Sequence, residues 1–303
     1  MSQLIGEAPG RITPVDEFVN TLEVELMAQR KLLPALFKEI AGSAASDRQA
    51  LDRITFRPRL MVPTTMLDLS LDLFGQRHFA PILIGPAALQ QRFHADGELA
   101  MARGAKAAQT GLVIAQPSSY SLDKIAPLTT TPLWAQLDPA PPALLRANAE
   151  KAIDQGAKVI CLTQPAKLNL TVPVIMKGVM TPKEAQAAIQ QGFSGMIISN
   201  YRRPGLPSPI EALPAIAAEV GSKIPILIDG SFRRGADVLK ALALGARAIL
   251  VVRPPLWGLA TYGDRGVQQV MEMLQSELAR DMAMCGLQNL QQITPAYVKI
   301  HRR

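Results

Sequence analysis

Eight short apolar runs recur along the chain, and most of the intervals between them have helical spacing. The runs end near Gly85, Ala115, Leu137, Thr163, Lys177, Ser199, Asp229 and Arg253. In three similar junctions, at residues 155–157, 191–193 and 244–246, a glycine closes a helical stretch just before the next run. Strands that alternate with helices form parallel sheets, and eight such units favour a closed barrel over an open sheet. The sequence therefore predicts an α/β protein built as a single (β/α)₈ TIM barrel.

The length of 303 residues suits one barrel, so no second structural domain is expected. Residues 1–56 are predicted to form an N-terminal helical cap region, because residues 17–52 have helical spacing that Pro34 interrupts. Residues 57–303 are predicted to form the barrel. Within this part, residues 57–78 alternate around a glycine turn, which indicates a hairpin that closes one barrel end, and residues 266–284 predict a last outer helix.

The composition argues against several classes of protein, namely membrane-spanning, secreted, nucleic-acid-binding and metal-binding proteins. Although 48% of the residues are hydrophobic, no apolar run approaches the roughly 20 residues that span a bilayer. The N-terminus does not resemble a secretory signal and there are two cysteines, so cytoplasmic residence is the expectation. The net charge of +7 is scattered and aromatics are 5%, which does not favour nucleic acid binding but suits an anionic ligand. No cluster has metal-ligand spacing, so no metal is predicted.

The stretch from Ile224 to Pro254 contains two apolar runs, each followed by a polar or basic loop. The first run ends in Asp229-Gly230-Ser231 and the second ends in Arg253. In (β/α)₈ barrels the loops after strands seven and eight commonly hold a phosphate through backbone N–H groups and a helix N-terminus. Arg233, Arg234 and Arg253 supply the countercharge. These loops therefore predict a phosphate-binding site.

Several segments carry a family resemblance in the same order along the chain. They are residues 58–89, 94–98, 118–126, 172–200, 229–254 and 258–286. Together they resemble the FMN-dependent α-hydroxy acid oxidase and dehydrogenase family over roughly residues 47 to 300. The resemblance implies a barrel fold, FMN as cofactor, oxidoreductase chemistry and a homo-oligomer.

The resemblance also implies a set of flavin contacts at the ends of the strands. Lys177 matches the lysine beside N1 and O2 of the flavin, where a fixed ammonium favours electron density arriving on that side of the ring. The other implied contacts are Ala87 and Ala88 near the N5 edge, Gln136, Thr163 and Ser199 at the ring, Asp229 at the ribityl chain, and Gly230, Ser231, Arg233 and Arg253 at the phosphate. Alternatively, Lys177 is a capped surface lysine, and Arg233 or Arg234 is a salt-bridged helix-start residue.

Two positions near the phosphate depart from the family pattern, which usually has glycine where Ser231 and Val252 stand. Serine tolerates most backbone angles and adds a hydroxyl, whereas valine brings bulk and stiffness where a backbone must approach the ligand. We therefore expect either weaker FMN binding than is usual in the family or a different position of the FMN phosphate.

The catalytic segment departs further. Family members remove a substrate proton with a histidine and grip the substrate carboxylate with an arginine, and these positions hold Tyr201 and Pro204 here. A tyrosine with a pKa of about 10 is a poor base at neutral pH. The only histidines are His78, His94 and His301, and none follows a predicted strand. No catalytic residue is therefore assigned.

Other substrate positions differ as well. The family's tyrosine after the third strand aligns with Asp138, its N-terminal tyrosine falls within 37–40, and its aspartate near the fourth strand aligns with Pro165. An acidic Asp138 would repel a carboxylate. Only residues 166–171 separate the fourth and fifth strands, where the family has a long mobile lid, so a more open mouth is expected.

Three interpretations remain open. The chain is an FMN-binding flavoprotein that has abandoned hydroxy acid oxidation and acts on a different or larger substrate. Alternatively, it is a catalytically silent relative that serves as a binding or scaffold partner for another protein. In the third interpretation it is a 2-hydroxy acid dehydrogenase that uses Tyr201 as base and Arg202 or Arg203 as carboxylate clamp.

Overall fold

The computed structural model describes residues 13–42, 44–58, 66–203 and 205–301. Three α-helices precede the first strand of the described chain, α1 (Thr21–Lys31), α2 (Pro34–Ile40) and α3 (Ala45–Asp52). Three short strands follow, β1 (Ile54–Phe56), β2 (Leu71–Leu73) and β3 (Gln76–His78). The interruption predicted at Pro34 is confirmed, because this proline starts α2. The predicted boundary at residue 56 stays a prediction, since β1 pairs with a strand at the far end of the chain.

The barrel elements alternate in sequence order. They are β4 (Ile82–Ile84), α4 (Gly97–Ala107), β5 (Leu112–Ala115), α5 (Leu122–Ile125), β6 (Leu133–Leu137), α6 (Pro142–Asp154), β7 (Ile160–Leu162), β8 (Val174–Val179), α7 (Pro182–Gln190), β9 (Gly195–Ile198), α8 (Pro209–Val220), β10 (Ile226–Ile228), α9 (Gly235–Ala243), β11 (Ala248–Val251), α10 (Arg253–Met284) and β12 (Val298–Ile300).

Eight parallel strands, β4 to β11, form a closed barrel. Closure occurs between the last strand and the first, where Ile249 of β11 pairs with Ile82 of β4. The predicted (β/α)₈ barrel is confirmed, and each predicted strand end lies within two residues of the observed one. The strands are rich in branched apolar residues because helices or the barrel interior bury both of their faces.

The hairpin of β2 and β3 closes the N-terminal end of the barrel. Trp134 of β6 is fully buried at this end, and Phe74 and His78 contact it edge-to-face with ring centroids 5.6 and 6.0 Å away. The hairpin predicted from the alternating pattern is therefore present at 71–78, while its predicted part at residues 59–65 lies outside the described residues.

One outer helix of the repeating pattern is absent. Residues 163–173 connect β7 to β8 without a helix, in a segment where Leu168 and Leu170 pack against the core and Lys167 and Asn169 are exposed. A parallel crossover usually needs a helix to cover the sheet. Here an extended strap, in which exposed and half-buried residues alternate, covers part of that surface instead. The connection, residues 163–173, is longer than the predicted 166–171, because both flanking strands are shorter on this side than the sequence pattern indicates.

The last helix is longer than predicted. It was expected at residues 266–284, but α10 begins at Arg253 because Pro254 and Pro255 suit the first turn of a helix. The helix is kinked at Tyr262 and Gly263, and Gly263 has a φ of 62°. The sequence pattern detected only the part after this kink. In the part of the chain that the structure describes, no helix is long and apolar enough to cross a membrane.

Stability is expected to fall in mild acid because of His78. Its side chain is buried, neither ring nitrogen has a hydrogen-bond partner within the described part of the chain, and burial lowers its pKa to about 4. The unfolded chain binds a proton near the ordinary pKa of about 6.5, so stability present above that pH decreases as the pH falls from about 6.5 to 4, by up to ~3 kcal/mol. Urea unfolding of the wild type and His78→Leu at several pH values measures this dependence.

The control is His301→Gln, since His301 is exposed and bonds Thr55. We expect the pH dependence of the unfolding free energy to be shallower in His78→Leu than in the wild type and the control. Equal slopes in all three proteins would show that His78 does not titrate as proposed.

Candidate functional site

A cavity of about 510 Å³ lies at the C-terminal mouth of the barrel. Four residues predicted to contact the flavin line it at strand ends, namely Gln136, Thr163, Lys177 and Ser199. The carboxyl ends of parallel strands meet at this rim, which is where (β/α)₈ barrels place their sites. The fold thus brings together residues from four strands that are far apart in sequence.

Lys177 and Asp229 form a buried ion pair across the mouth. Lys177 is 6% exposed, and its ammonium donates to Oδ2 of Asp229 and to Ser199 Oγ, the latter at 3.2 Å. The interpretation of Lys177 as a surface lysine is therefore wrong. Because the two charges compensate each other in a place shielded from water, the pair holds the ammonium at a fixed position.

Gln136 leaves an acceptor open toward the cavity. Its Oε1 is buried and finds no donor among the described residues. A buried carbonyl oxygen without a donor is costly, so the position calls for a ligand with an N–H group or for a water molecule. The neighbouring Thr163 is exposed at the rim.

The predicted phosphate loop is held in a left-handed conformation. Gly230 has a φ of 125° and Ser231 a φ of 58°. A Cβ at Gly230 would lie 3.0 Å from Pro209, so glycine suits both the angle and the space. Serine at 231 is a strained choice, although serine was expected to accept the local geometry easily. Its hydroxyl donates to Asp47 at 3.0 Å and accepts from the Ala44 N–H at 3.2 Å.

Two predicted phosphate ligands converge on the N-terminal region. Arg233 is 4% exposed, lies over the Trp257 ring at 4.8 Å and donates to the Gly42 carbonyl at 2.6 Å. Arg253 donates to the same carbonyl at 3.0 Å. Burial, together with the charge of Arg253, lowers the pKa of Arg233 to about 10. Two neighbouring guanidinium groups with a carbonyl between them form a site that favours an anion.

Arg234 has a different role from Arg233. Its Nε donates to Glu277 at 2.8 Å, and Glu277 also accepts from the N–H of Gly235 at the start of α9. The alternative of a salt-bridged helix-start residue is therefore correct for Arg234 and wrong for Arg233.

The Val252 side chain packs beside the end of the first barrel strand. A Cβ placed on Gly85 would come within 2.7 Å of Val252 Cγ2, so the valine packs where Gly85 has no side chain. Ala87 and Ala88 follow Gly85 in the adjacent loop, where the Ala87 carbonyl accepts from Gln90 at 3.2 Å. These two alanines do not line the cavity.

The segment after β9 lies over the cavity and is tied to α7. Tyr201 is 68% exposed, and the Arg202 guanidinium lies 5.4 Å from the centre of its ring. Arg203 donates to Glu184 at 2.8 Å and to the Gly178 carbonyl at 2.6 Å. Pro204, predicted to stand where the family has its substrate arginine, lies outside the described residues.

Glu184 is a cavity residue that the sequence interpretation missed. Thr181 and Glu184 form a capping box at the start of α7, with bonds of 3.1 and 3.2 Å. Burial raises the pKa of the Glu184 carboxyl, but the bonds from Arg203 and from the Met180 N–H outweigh burial and hold the pKa below its usual range. The Thr-Pro-x-Glu pattern of a capping box was the available signal. The ion pair between Glu184 and Arg203 joins residues 19 positions apart, and no local sequence pattern predicts it.

None of the three histidines lines the cavity. His78 lies in the hairpin at the opposite barrel end, His94 follows a short 3₁₀ turn, and His301 adjoins β12. Asp138 and Pro165, predicted to stand at two family substrate positions, do line the cavity, together with Tyr201 and Arg202.

Comparisons with known proteins agree with this geometry. A family model described as FMN-dependent dehydrogenase matches residues 37–169 and 164–300. An L-lactate oxidase from Nostoc sp. is 30% identical over 95% of this chain and 100% of its own length, and a glycolate oxidase from Spinacia oleracea is 29% identical over 93% and 96%. The first alignment runs over 365 positions, so that relative carries segments absent from these 303 residues.

Solved structures show the same fold. A mandelate oxidase with 3,3-difluoro-2-hydroxy-3-phenylpropionic acid has a TM-score of 0.87 and 30% identity, covering 94% of this chain and 100% of that chain. A point mutant of an active chimera of (S)-mandelate dehydrogenase has a TM-score of 0.87 and 25% identity, covering 93% and 99%.

The buried ion pair predicts a specific pattern of stability. Asp229→Asn leaves the Lys177 ammonium buried without its counter-charge, so we expect a loss of roughly 3–5 kcal/mol in unfolding free energy. The double variant Lys177→Met with Asp229→Leu removes both charges and should lose less than the single variant. Urea unfolding of the flavin-free proteins gives the comparison. A double variant less stable than Asp229→Asn would contradict the assignment of a desolvated pair.

Proposed function

Because the chain belongs to the FMN-dependent dehydrogenase family, we propose that it is an FMN-binding oxidoreductase whose usual hydroxy acid site is degenerate and which acts on a different or larger substrate. The observation that carries the proposal is the mouth of the barrel. There the elements suited to a flavin, Gln136 and Lys177, lie in one cavity with Tyr201, while the histidines lie elsewhere. Homo-oligomeric assembly and cytoplasmic residence are further parts of the proposal.

The residues present fit FMN. Gln136 would hold the ring through its unpaired Oε1, and Lys177 would place its ammonium at the N1 and O2 edge. Thr163 and Ser199 would complete the contacts with the ring. Lys177 uses Oδ2 of Asp229, so Oδ1 remains as an acceptor for the ribityl hydroxyls. When bound, FMN supplies the capacity to accept a hydride or electrons.

Gly230, Ser231, Arg233 and Arg253 would hold the phosphate of FMN. Arg233 is buried, and among the described residues its Nε has no partner and its guanidinium donates only to carbonyl oxygens, at 2.6 and 2.8 Å. An anion would compensate the two neighbouring positive charges of Arg233 and Arg253. Ser231 donates its hydroxyl to Asp47, so its contribution to the phosphate would come from the backbone.

Two observations support a degenerate hydroxy acid site. A general base must reach the proton that it removes, and no histidine lines the cavity. Arg203 is committed to Glu184 and to the Gly178 carbonyl, which argues against a role as substrate clamp. The dehydrogenase alternative therefore depends on Tyr201 and Arg202 alone.

Loss of the Arg253 guanidinium should weaken FMN binding. Hydrogen bonds to charged groups contribute about 1.5–3 kcal/mol, so Arg253→Met is expected to raise the Kd for FMN by about 10- to 100-fold. Arg247→Met is the matched control, because Arg247 is an exposed arginine at the opposite end of β11 and its substitution removes the same charge. Quenching of FMN fluorescence in a titration measures the Kd. Equal effects of the two substitutions would contradict the phosphate assignment.

The bound flavin should not be reduced by small hydroxy acids. Under anaerobic conditions, lactate, glycolate and mandelate are expected to leave the absorbance of the oxidised flavin unchanged, because no histidine lines the cavity to remove the substrate proton. Dithionite followed by air should reduce and reoxidise the same flavin, which a silent flavin-binding protein need not do. Bleaching by any of the three acids would favour the dehydrogenase alternative, and Tyr201→Phe would then test Tyr201 as base.

A further inference from the structure

The pairing of β7 with β8 ends before β8 reaches the mouth of the closed barrel. The two strands pair at three positions, from Ile160 with Val174 to Leu162 with Met176. Beyond Met176, β8 continues to Val179 and pairs only with β9, with an irregularity between Lys177 and Val179. Gly178 lies in this irregularity with a φ of 100°, and a Cβ there would meet nothing within 4 Å. A slit therefore remains beside the upper part of β8.

The cavity at the mouth passes through this slit. Lys177 and Met176 are neighbours in β8, and successive side chains of a strand point to opposite faces of the sheet. Both residues line the same cavity. Lys177 faces the barrel interior, where it bonds Asp229, so the part beside Met176 lies on the outer face. The cavity thus has an inner arm at the predicted flavin edge and an outer arm beyond the wall.

The outer arm is mainly apolar. Its lining includes Met176, Ala187, Ala188 and Phe193, with Gln191 as a polar group. The space exists because the connection between β7 and β8 has no helix to cover this face, and the strap at residues 163–173 covers only part of it. Met176 is consequently half-buried, unlike its fully buried neighbour Ile175.

The charges around the cavity compensate one another. Lys177 is paired with Asp229, and Arg203 is paired with Glu184. The two remaining charged residues of the lining, Arg202 and Asp138, have opposite signs. An uncharged ligand therefore meets no excess of either sign, whereas a carboxylate would meet Asp138 as well as Arg202.

We propose that the outer arm is a binding site for the apolar tail of an uncharged substrate, an aliphatic or aryl group that passes from the mouth over Gly178 to Met176 and Phe193. The polar, reacting end of this substrate lies in the inner arm. The proposal rests on the proposed function for the position of the reacting end, while the tail site rests on the cavity alone. It defines the larger substrate as an amphipathic molecule.

A homologous series of primary alcohols from 1-butanol to 1-octanol tests the outer arm. Binding is followed by NMR of methionine methyl groups labelled with ¹³C, in the FMN-loaded and the flavin-free protein, and Met176→Leu assigns the Met176 signal. We expect the Kd to fall by about fourfold for each buried methylene, until the arm is filled. The Met176 methyl signal should shift with the longer alcohols.

Ala187→Trp fills the outer arm, because Ala187 lines it and is half-buried. In this variant the Kd should stop falling beyond the shortest alcohols. Gln190→Trp is the control, since Gln190 is an exposed residue of the same helix and does not line the cavity. It should retain the dependence on chain length of the wild type. If Ala187→Trp does not fold, Ala187→Leu provides the smaller obstruction.

The outcomes separate the two proposals. A Kd independent of chain length in the wild type, or the same dependence in the Ala187 and Gln190 variants, would overturn the tail site. Chain-length dependence that disappears in Ala187→Trp supports it in either form of the protein. If that result holds while FMN fails to bind, the tail site stands and the proposed function is wrong.

Discussion

Closure of the eight-stranded barrel is the constraint on which the site depends. The pairing of β11 with β4 forces the carboxyl ends of all eight strands into one ring. Gln136, Lys177 and Asp229 are separated by more than forty residues from one another, yet closure places them at the same mouth. The barrel interior below them is packed with apolar side chains around Trp134, so the mouth is the open end of the barrel.

Charge is distributed unequally around this mouth. The Lys177 and Asp229 pair fixes a positive group on one side without leaving net charge in the interior. On the other side, Arg233 and Arg253 share the carbonyl of Gly42, and neither guanidinium is hydrogen-bonded to a carboxylate of the described residues. This asymmetry suits a ligand with a neutral ring and an anionic end. The N-terminal region completes the second side, so the helices before the barrel belong to the site.

Local sequence patterns predicted the strands and many site positions, because both are marked by residues that lie close together in the sequence. Apolar runs mark buried strands, and polar residues directly after them, such as Lys177 and Asp229, mark the barrel rim. The contacts of Arg203 with Glu184 and of Ser231 with Asp47 join residues distant in sequence, and no periodicity encodes them. The slit beside Gly178 could not be predicted from the sequence either. It arises because the pairing of β7 with β8 ends early, and no residue type marks that point.

A crystal structure of the protein with FMN tests the proposed site most directly. We predict the flavin ring in the mouth, with Gln136 and Lys177 at hydrogen-bond distance, about 3 Å, and the phosphate between Arg233 and Arg253. We also predict that no histidine contacts the exposed face of the ring. FMN bound at another place, or a ring in the mouth with a histidine beside its reactive edge, would contradict the central claim.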